Sequence, residues 1–200
     1  MSVEPGPDGR LRCPWALGSA EYLAYHDDEW GRPVRDDVGL YERLTLEAFQ
    51  SGLSWLTILR KRTGFRRAFT GFDPATVARF SIADVDRLLA DPGIVRNRAK
   101  ITAAVTNARA VLSLRERDGD DAFSRLIWSH QPAPRPAPAS LADIPARTPE
   151  SAALAKDLKR HGFVFVGPTT AYATMQAAGL VDDHLADCIA RRKPANTSPK

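Results

Sequence analysis

Cysteine is scarce in this 200-residue chain: Cys13 and Cys188 are the whole supply, so a disulfide framework is excluded as the source of stability. Nowhere does the chain approach the roughly 20 consecutive apolar residues a membrane span needs. The opening segment MSVEPGPDGR has no apolar stretch of the kind that directs secretion, and the expectation is a cytoplasmic protein with reduced thiols. Strand-like sequence is also sparse. Phe163–Val166 is the one β-rich run, short and without an evident partner. Internal repeats are missing, and the clearest break is the proline-rich QPAPRPAPAS that follows His130, an extended surface connection by composition.

What the chain does have is the makings of one substantial core. The hydrophobic share is 44%, ordinary for a globular protein of a size that buries a real interior. A formal charge of +4 permits a nucleic-acid partner without demanding one. The basic residues are bunched: Arg60, Lys61, Arg62, Arg66 and Arg67 in one stretch, Arg96, Arg98 and Lys100 in another. Each bunch taken alone reads first as a solvated helix face.

Start and stop signals predict a succession of helices. Ser19 caps one that runs through Glu29, and Asp36 or Asp37 caps another with Leu40, Leu44 and Ala48 on one stripe, stopped by Gly52. Ser54 caps a short helix, Asp73-Pro74 starts one, and Ser81 with Asp84 has the capping-box pattern. A long helix is expected from about Asn97 to Arg117, and further ones over 121–129, from Thr148-Pro149 to Gly162, over 168–178 and over 183–191. The fold class is therefore all-α.

Three constellations could carry chemistry. Cys13 precedes His26 by thirteen positions and His184 precedes Cys188 by four; on a helix the latter pair shares a face, and two thiolates with two imidazoles suit tetrahedral zinc. The alternative is two buried cysteines acting as small hydrophobes. Next, LLADPGIVRNRAK joins two amphipathic helices by a tight turn at Pro92-Gly93 with basic residues just beyond, an arrangement in which helix-terminal amides can bind a phosphate; the alternative is an ordinary αα-turn. Third, Trp15, Tyr22, Tyr25, Trp30 and Trp55 accompany Glu47 in the first quarter of the chain. A mid-helix carboxylate is by default a surface residue. Turned inward among those rings, Glu47 would instead form part of a pocket for a flat, electron-poor base.

RCPWALGSAEYLAYHDDEWG, LEAFQSGLSW and GFVFVGPTTAYATMQAAGLVDDHLADC together resemble the bacterial DNA-3-methyladenine glycosylase I family, over about Arg12 to Arg191. The resemblance implies a helix-hairpin-helix domain with a zinc-stapled subdomain built by the chain termini. That gives a single unit over 12–191, with the hairpin core at about 36–130, the zinc subdomain at about 12–35 plus 140–191, and flexible tails at 1–11 and 192–200. Cys13, His26, His184 and Cys188 match the family's structural zinc ligands. Tyr25, Trp30, Glu47 and Trp55 match residues that bind the methylated base, with Trp15 and Tyr22 at further aromatic positions near it, and Glu47 is the expected catalytic-site carboxylate. Gly52 and Leu53 fall on the loop that enters the DNA; Gly93, Arg96, Arg98 and Lys100 of the hairpin are the remaining DNA-binding candidates. Ala99 stands near the place where many such hairpins carry a second glycine. The implied activity is monofunctional excision of 3-methyladenine from alkylated double-stranded DNA by a monomer. The competing readings are a non-catalytic hairpin module with structural zinc, and a zinc hydrolase, which would need an open coordination position.

Overall fold

In the computed structural model, which describes residues 2–192, helices carry the fold. A two-residue-per-strand hairpin, β1 (Glu4–Pro5) and β2 (Leu11–Arg12), and a 3-10 turn (Pro14–Gly18) lead into α1 (Ala20–Asp28), α2 (Asp37–Gln50), α3 (Trp55–Ala68) and α4 (Pro74–Val77). Then come α5 (Ile82–Ala90), α6 (Arg98–Asp118), α7 (Ala122–Trp128), α8 (Pro149–Arg160) and α9 (Pro168–Ala177). The caps read from sequence form. Ser19, Asp36, Ser54, Asp73 and Asn97 each accept a hydrogen bond from a first-turn amide, and Ser81 with Asp84 closes a reciprocal box, so each satisfies an amide that the helix itself leaves unpaired.

Three expectations need correction. The helix after Ser54 is not short: α3 spans 14 residues and includes the whole Arg60–Arg67 basic stretch. No helix forms over 183–191. That segment is a chain of turns in which Asp182 Oδ1 accepts from the His184 amide and Arg191 donates to the carbonyls of Asp182 and His184, so side chains take the backbone partners a helix would need. In keeping with the all-α reading, the Phe163–Val166 run forms no strand, and Val164 pairs through both its N–H and C=O with the side chain of buried Asn107 on α6. Finally, part of the segment 1–11 is folded, because β1 and β2 pair and Asp8 accepts from Arg12 at 2.6 Å. Of the expected tail at 192–200, the part beyond Arg192 lies outside the described residues.

The main core is centred on α2, where Leu40, Tyr41, Leu44 and Phe49 have no exposed surface. Tyr41 donates its hydroxyl to Ala104 O on α6 at 2.8 Å. An aromatic chain runs Phe49–Phe65–Phe69–Phe72, with ring centroids 4.8, 6.2 and 5.5 Å apart; each such buried ring contributes roughly 1.5–3 kcal/mol. Leu154, Leu158, Tyr172 and Met175 of α8 and α9 lie in the same core. A second, smaller apolar cluster gathers Cys13, Leu185, Cys188 and Ala190 under Val3 and Trp15, and joins the two chain ends.

The hairpin α5–α6 is seated on α3 by backbone contact. A Cβ on Gly64 would stand 2.3 Å from Gly93 O, so only glycine lets the helix approach the turn this closely. Lys61 Nζ donates to Pro92 O at 2.7 Å, and Arg67 lies 3.8 Å from Asp91.

Candidate active site and metal centre

The C-terminal half of α2 turns Glu47 inward, with 7% of its surface exposed. Around it stand Tyr25 and Trp30 from the α1 region, Trp55 at the start of α3, and Trp15 and Tyr22, enclosing a pocket of about 260 Å³. All six residues read from the sequence as base-binding therefore line one cavity. Sequence reasoning missed Gln50, Ala173 and Gln176, which also line it. Gln50 follows Glu47 by three positions and so shares its helix face, a signal that was there to read. Ala173 and Gln176 come from α9, and no local pattern announces them.

The rings hold one another at aromatic-pair distances. Tyr25 and Trp55 lie 5.3 Å apart, Trp15 sits edge-on to Tyr22 at 5.7 Å, and Trp15 sits edge-on to Trp30 at 5.1 Å. Tyr22 Oη accepts from the Leu56 amide at 3.0 Å and so ties the pocket wall to the start of α3. Two polar groups are left over. Trp55 Nε1 is buried with no acceptor among the described residues. Burial alone pushes the Glu47 carboxyl up to about 8, because no cation and no donor among the described residues stabilises its charge. Burial, and then the Glu47 charge, raises the Tyr25 hydroxyl well above its ordinary value. The pocket thus presents flat apolar faces, one unsatisfied carboxyl and one unsatisfied donor.

Behind Trp30 lies a Cys–His cluster that could hold a metal ion. Ligand atoms of Cys13, His26, His184 and Cys188, all buried, fall within 4.8 Å of one another. His184 Nδ1 is 3.1 Å from His26 Nε2, and the sulfur–nitrogen separations are 3.3 Å (Cys188 to His26), 3.6 Å (Cys188 to His184) and 3.9 Å (Cys13 to His184). Zinc–ligand bonds of ~2.3 Å to sulfur and ~2.0–2.1 Å to nitrogen in a tetrahedron require edges of about 3.6 Å (S···N) and 3.3 Å (N···N), so the donor set fits that ion. The surroundings fix both tautomers. His26 Nδ1 is 2.8 Å from Asp27 Oδ1, and His184 Nε2 is 3.1 Å from the Trp30 carbonyl. Both partners can only accept, which assigns the ring protons to those nitrogens and leaves the other two as lone pairs facing the cluster. Asp27 is itself held by Arg12 at 2.9 Å, and the Leu185 amide donates to Cys13 Sγ at 3.4 Å. His184 and Cys188 reach the cluster from a turn, not from a shared helix face.

The DNA-contact candidates divide. Gly52, with φ +81°, and exposed Leu53 form the tip of the α2–α3 turn. Arg96 and Arg98 are exposed in the hairpin, Arg98 paired with Asp86 at 2.8 Å. The Gly93 amide is occupied by Asp91 Oδ1 at 2.7 Å, whereas the first-turn amides of Arg98 and Ala99, in exposed residues, are among the hairpin donors the helix leaves unpaired. Lys100 belongs elsewhere. It is buried, and its ammonium donates to Phe49 O at 2.8 Å and Ser51 O at 2.6 Å, placing positive charge where α2 ends in unpaired carbonyls. It anchors the Gly52–Leu53 turn from below and is not a phosphate contact. The five basic residues of α3 are likewise engaged within the protein: Arg60 with Glu21, Arg62 with Glu29, Arg66 with Glu42, Arg67 with Asp91, and Lys61 with the Pro92 carbonyl.

A helical protein with a hairpin, a purine-sized aromatic pocket with a buried carboxyl inside it, and an exposed apolar turn ending the helix that carries that carboxyl defines a class: helix-hairpin-helix proteins that receive a single nucleobase. Residues 15–192 match the sequence profile of the family described as methyladenine glycosylase, and the chain belongs to that family. It is 47% identical over 180 residues to DNA-3-methyladenine glycosylase of Haemophilus influenzae, covering 88% of this chain and 96% of that protein. The identity to DNA-3-methyladenine glycosylase 1 of Escherichia coli is also 47% over 180 residues, covering 88% and 95%. Among solved structures, that of 3-methyladenine DNA glycosylase I from Staphylococcus aureus superposes with a TM-score of 0.86 at 38% identity, covering 92% of this chain and 97% of that one.

Proposed function

We propose that this protein is a monofunctional DNA glycosylase that extrudes 3-methyladenine from alkylated duplex DNA and hydrolyses its N-glycosidic bond. The observation that carries this reading is Glu47, a buried carboxyl without a partner among the described residues, in a pocket walled by aromatic rings. Inside the duplex the bond is out of reach, so the base must leave the stack. Methylation at N3 makes the adenine cationic in DNA and weakens its sugar bond, and the base departs as a neutral purine. The protein's main task is then recognition. When a cation enters between the rings of Tyr25, Trp30 and Trp55, Glu47 gives up its proton to solvent water, and the resulting carboxylate accepts from the base's amino edge; charge-assisted bonds of this kind contribute roughly 1.5–3 kcal/mol. Leu53 fills the gap the base leaves, and the first-turn amides of α6 with Arg96 and Arg98 hold the phosphate backbone.

Zinc is the metal proposed for Cys13, His26, His184 and Cys188. Four protein ligands close the coordination sphere, so the ion supplies structure and no reactive water. Incubation of the protein with methylated duplex DNA should release free 3-methyladenine, and Glu47→Ala should lower that release while the zinc content stays at one ion. Release of mainly 7-methylguanine, or full activity of the Glu47 variant, would overturn the reading.

A further inference from the structure

The loop between α8 and α9 displays two hydrophobic side chains outward. Val164 is 43% exposed and Phe165 is 44% exposed. Phe165 also has φ +61°, a backbone region that a bulky aromatic residue occupies only when its surroundings impose it. The surroundings here do. Gly162, at φ +86°, ends α8. Buried Asn107 clamps both backbone groups of Val164, at 2.8 and 3.1 Å. The neighbouring ring, Phe163, is buried and stacked on Phe123 at 5.3 Å. Phe163 and Val164 are thus held fast, and Phe165 is carried outward on a rigid base.

Phe165 lines a groove of about 720 Å³ together with Ser51, Lys159, Gly167 and Thr170. Ser51 locates this groove on the molecule. Glu47 and Gln50 of α2 face the base pocket, Ser51 faces the groove, and the exposed Gly52–Leu53 turn comes next in the chain, at the end of the same helix. DNA whose damaged base occupies the pocket, with Leu53 in the vacated place, has its complementary strand on the side of Leu53 away from the pocket. The exposed ammonium of Lys159, at the groove's edge, has the charge a phosphate backbone calls for.

We infer that Phe165 is a second apolar wedge, which packs against the partner base left unpaired when the damaged adenine is extruded, while the α8–α9 groove receives the complementary strand. The inference rests on the glycosylase reading and adds a positioning residue to it. An aromatic ring is suited to the task because every base offers a face on which it can stack. The ring would keep the opened duplex from closing without touching the reacting sugar.

The test uses full-length protein and duplex DNA with 2-aminopurine placed opposite an abasic analogue. Wild-type protein should quench or shift the 2-aminopurine emission on binding; Phe165→Ala should abolish most of that change, and Phe165→Trp should restore it. In parallel, release of 3-methyladenine from methylated duplex should fall at least tenfold in Phe165→Ala, while release from methylated single-stranded DNA, where no partner base exists, stays within twofold of wild type. That duplex-to-single-strand contrast separates a wedge from a merely structural role, since a misfolded variant would lose both activities. Equal 2-aminopurine response and equal duplex activity in Phe165→Ala would overturn the inference while leaving the glycosylase reading intact. Absence of 3-methyladenine release by the wild type would instead defeat that reading.

Discussion

Glu47 shows how much one residue's environment decides. Its neighbours in sequence, Leu46 and Ala48, give no reason to bury a carboxylate, and yet the carboxyl ends up sealed among Tyr25, Trp30 and Trp55. An unfolded chain releases this proton near the ordinary value of 4.5, whereas the folded chain holds it until about 8. Over that window the native state binds more protons than the unfolded one, so its stability falls as pH rises. Glu47→Gln removes the titration. In urea unfolding followed from pH 5 to pH 8, the variant should lose less stability than wild type, by about 1–3 kcal/mol, since each tenfold difference in proton affinity between the two states is worth roughly 1.4 kcal/mol. Parallel profiles for the two proteins would show that the carboxyl is ionised in the free pocket. Lys100 teaches the converse lesson: a lysine in a basic run after a turn suggested a phosphate contact, but its ammonium is committed to the carbonyls that end α2.

At the scale of elements, the hairpin was legible because its signals are local: a capping box at Ser81, a Pro-Gly turn and an Asn97 cap. What seats it was not. Gly64 sits mid-helix, where glycine ordinarily weakens a helix, and its use appears only when α3 meets the backbone of Gly93. Gly64→Ala would put a Cβ 2.3 Å from a backbone oxygen that no side-chain rotation can move. The expected cost is about 1–3 kcal/mol, as for other overpacked sites, which lowers the thermal midpoint by about 2–12 °C for a chain of this size. An unchanged midpoint would mean that α3 and the hairpin are free to separate. The same close packing explains the basic stretch of α3, whose cations pair with acids of α1, α2 and the hairpin turn.

Across the whole molecule, the two ends of the chain meet at one cluster, and the cluster abuts the pocket. His184 contacts the Trp30 ring at 4.7 Å and the Trp30 carbonyl at 3.1 Å, and Trp15 sits edge-on to His26 at 5.1 Å. The Cys–His cluster is therefore the backing of two pocket walls. Removing the proposed zinc with a chelator should unfasten 2–18 and 180–192 together and release Trp15 and Trp30. A loss of about 3 kcal/mol corresponds to a fall of about 6–12 °C in Tm, and tryptophan fluorescence should report the loosened rings in the same titration. A chelated protein with an unchanged midpoint and spectrum would rule out a metal staple.

By itself the sequence determined the helical class, most helix starts and the four metal-cluster residues, because caps, breakers and ligand chemistry are properties of short segments or of residue types. It misread Asp183–Arg191 as a helix, since there the side chains of Asp182 and Arg191 took over the backbone's hydrogen bonds. The tertiary structure alone decided which charges are buried, that α9 adds Ala173 and Gln176 to the pocket, and that cysteines and histidines more than 150 residues apart lie within 4.8 Å of one another. Burial and long-range contact depend on where every other element packs, and no local window of sequence contains that information.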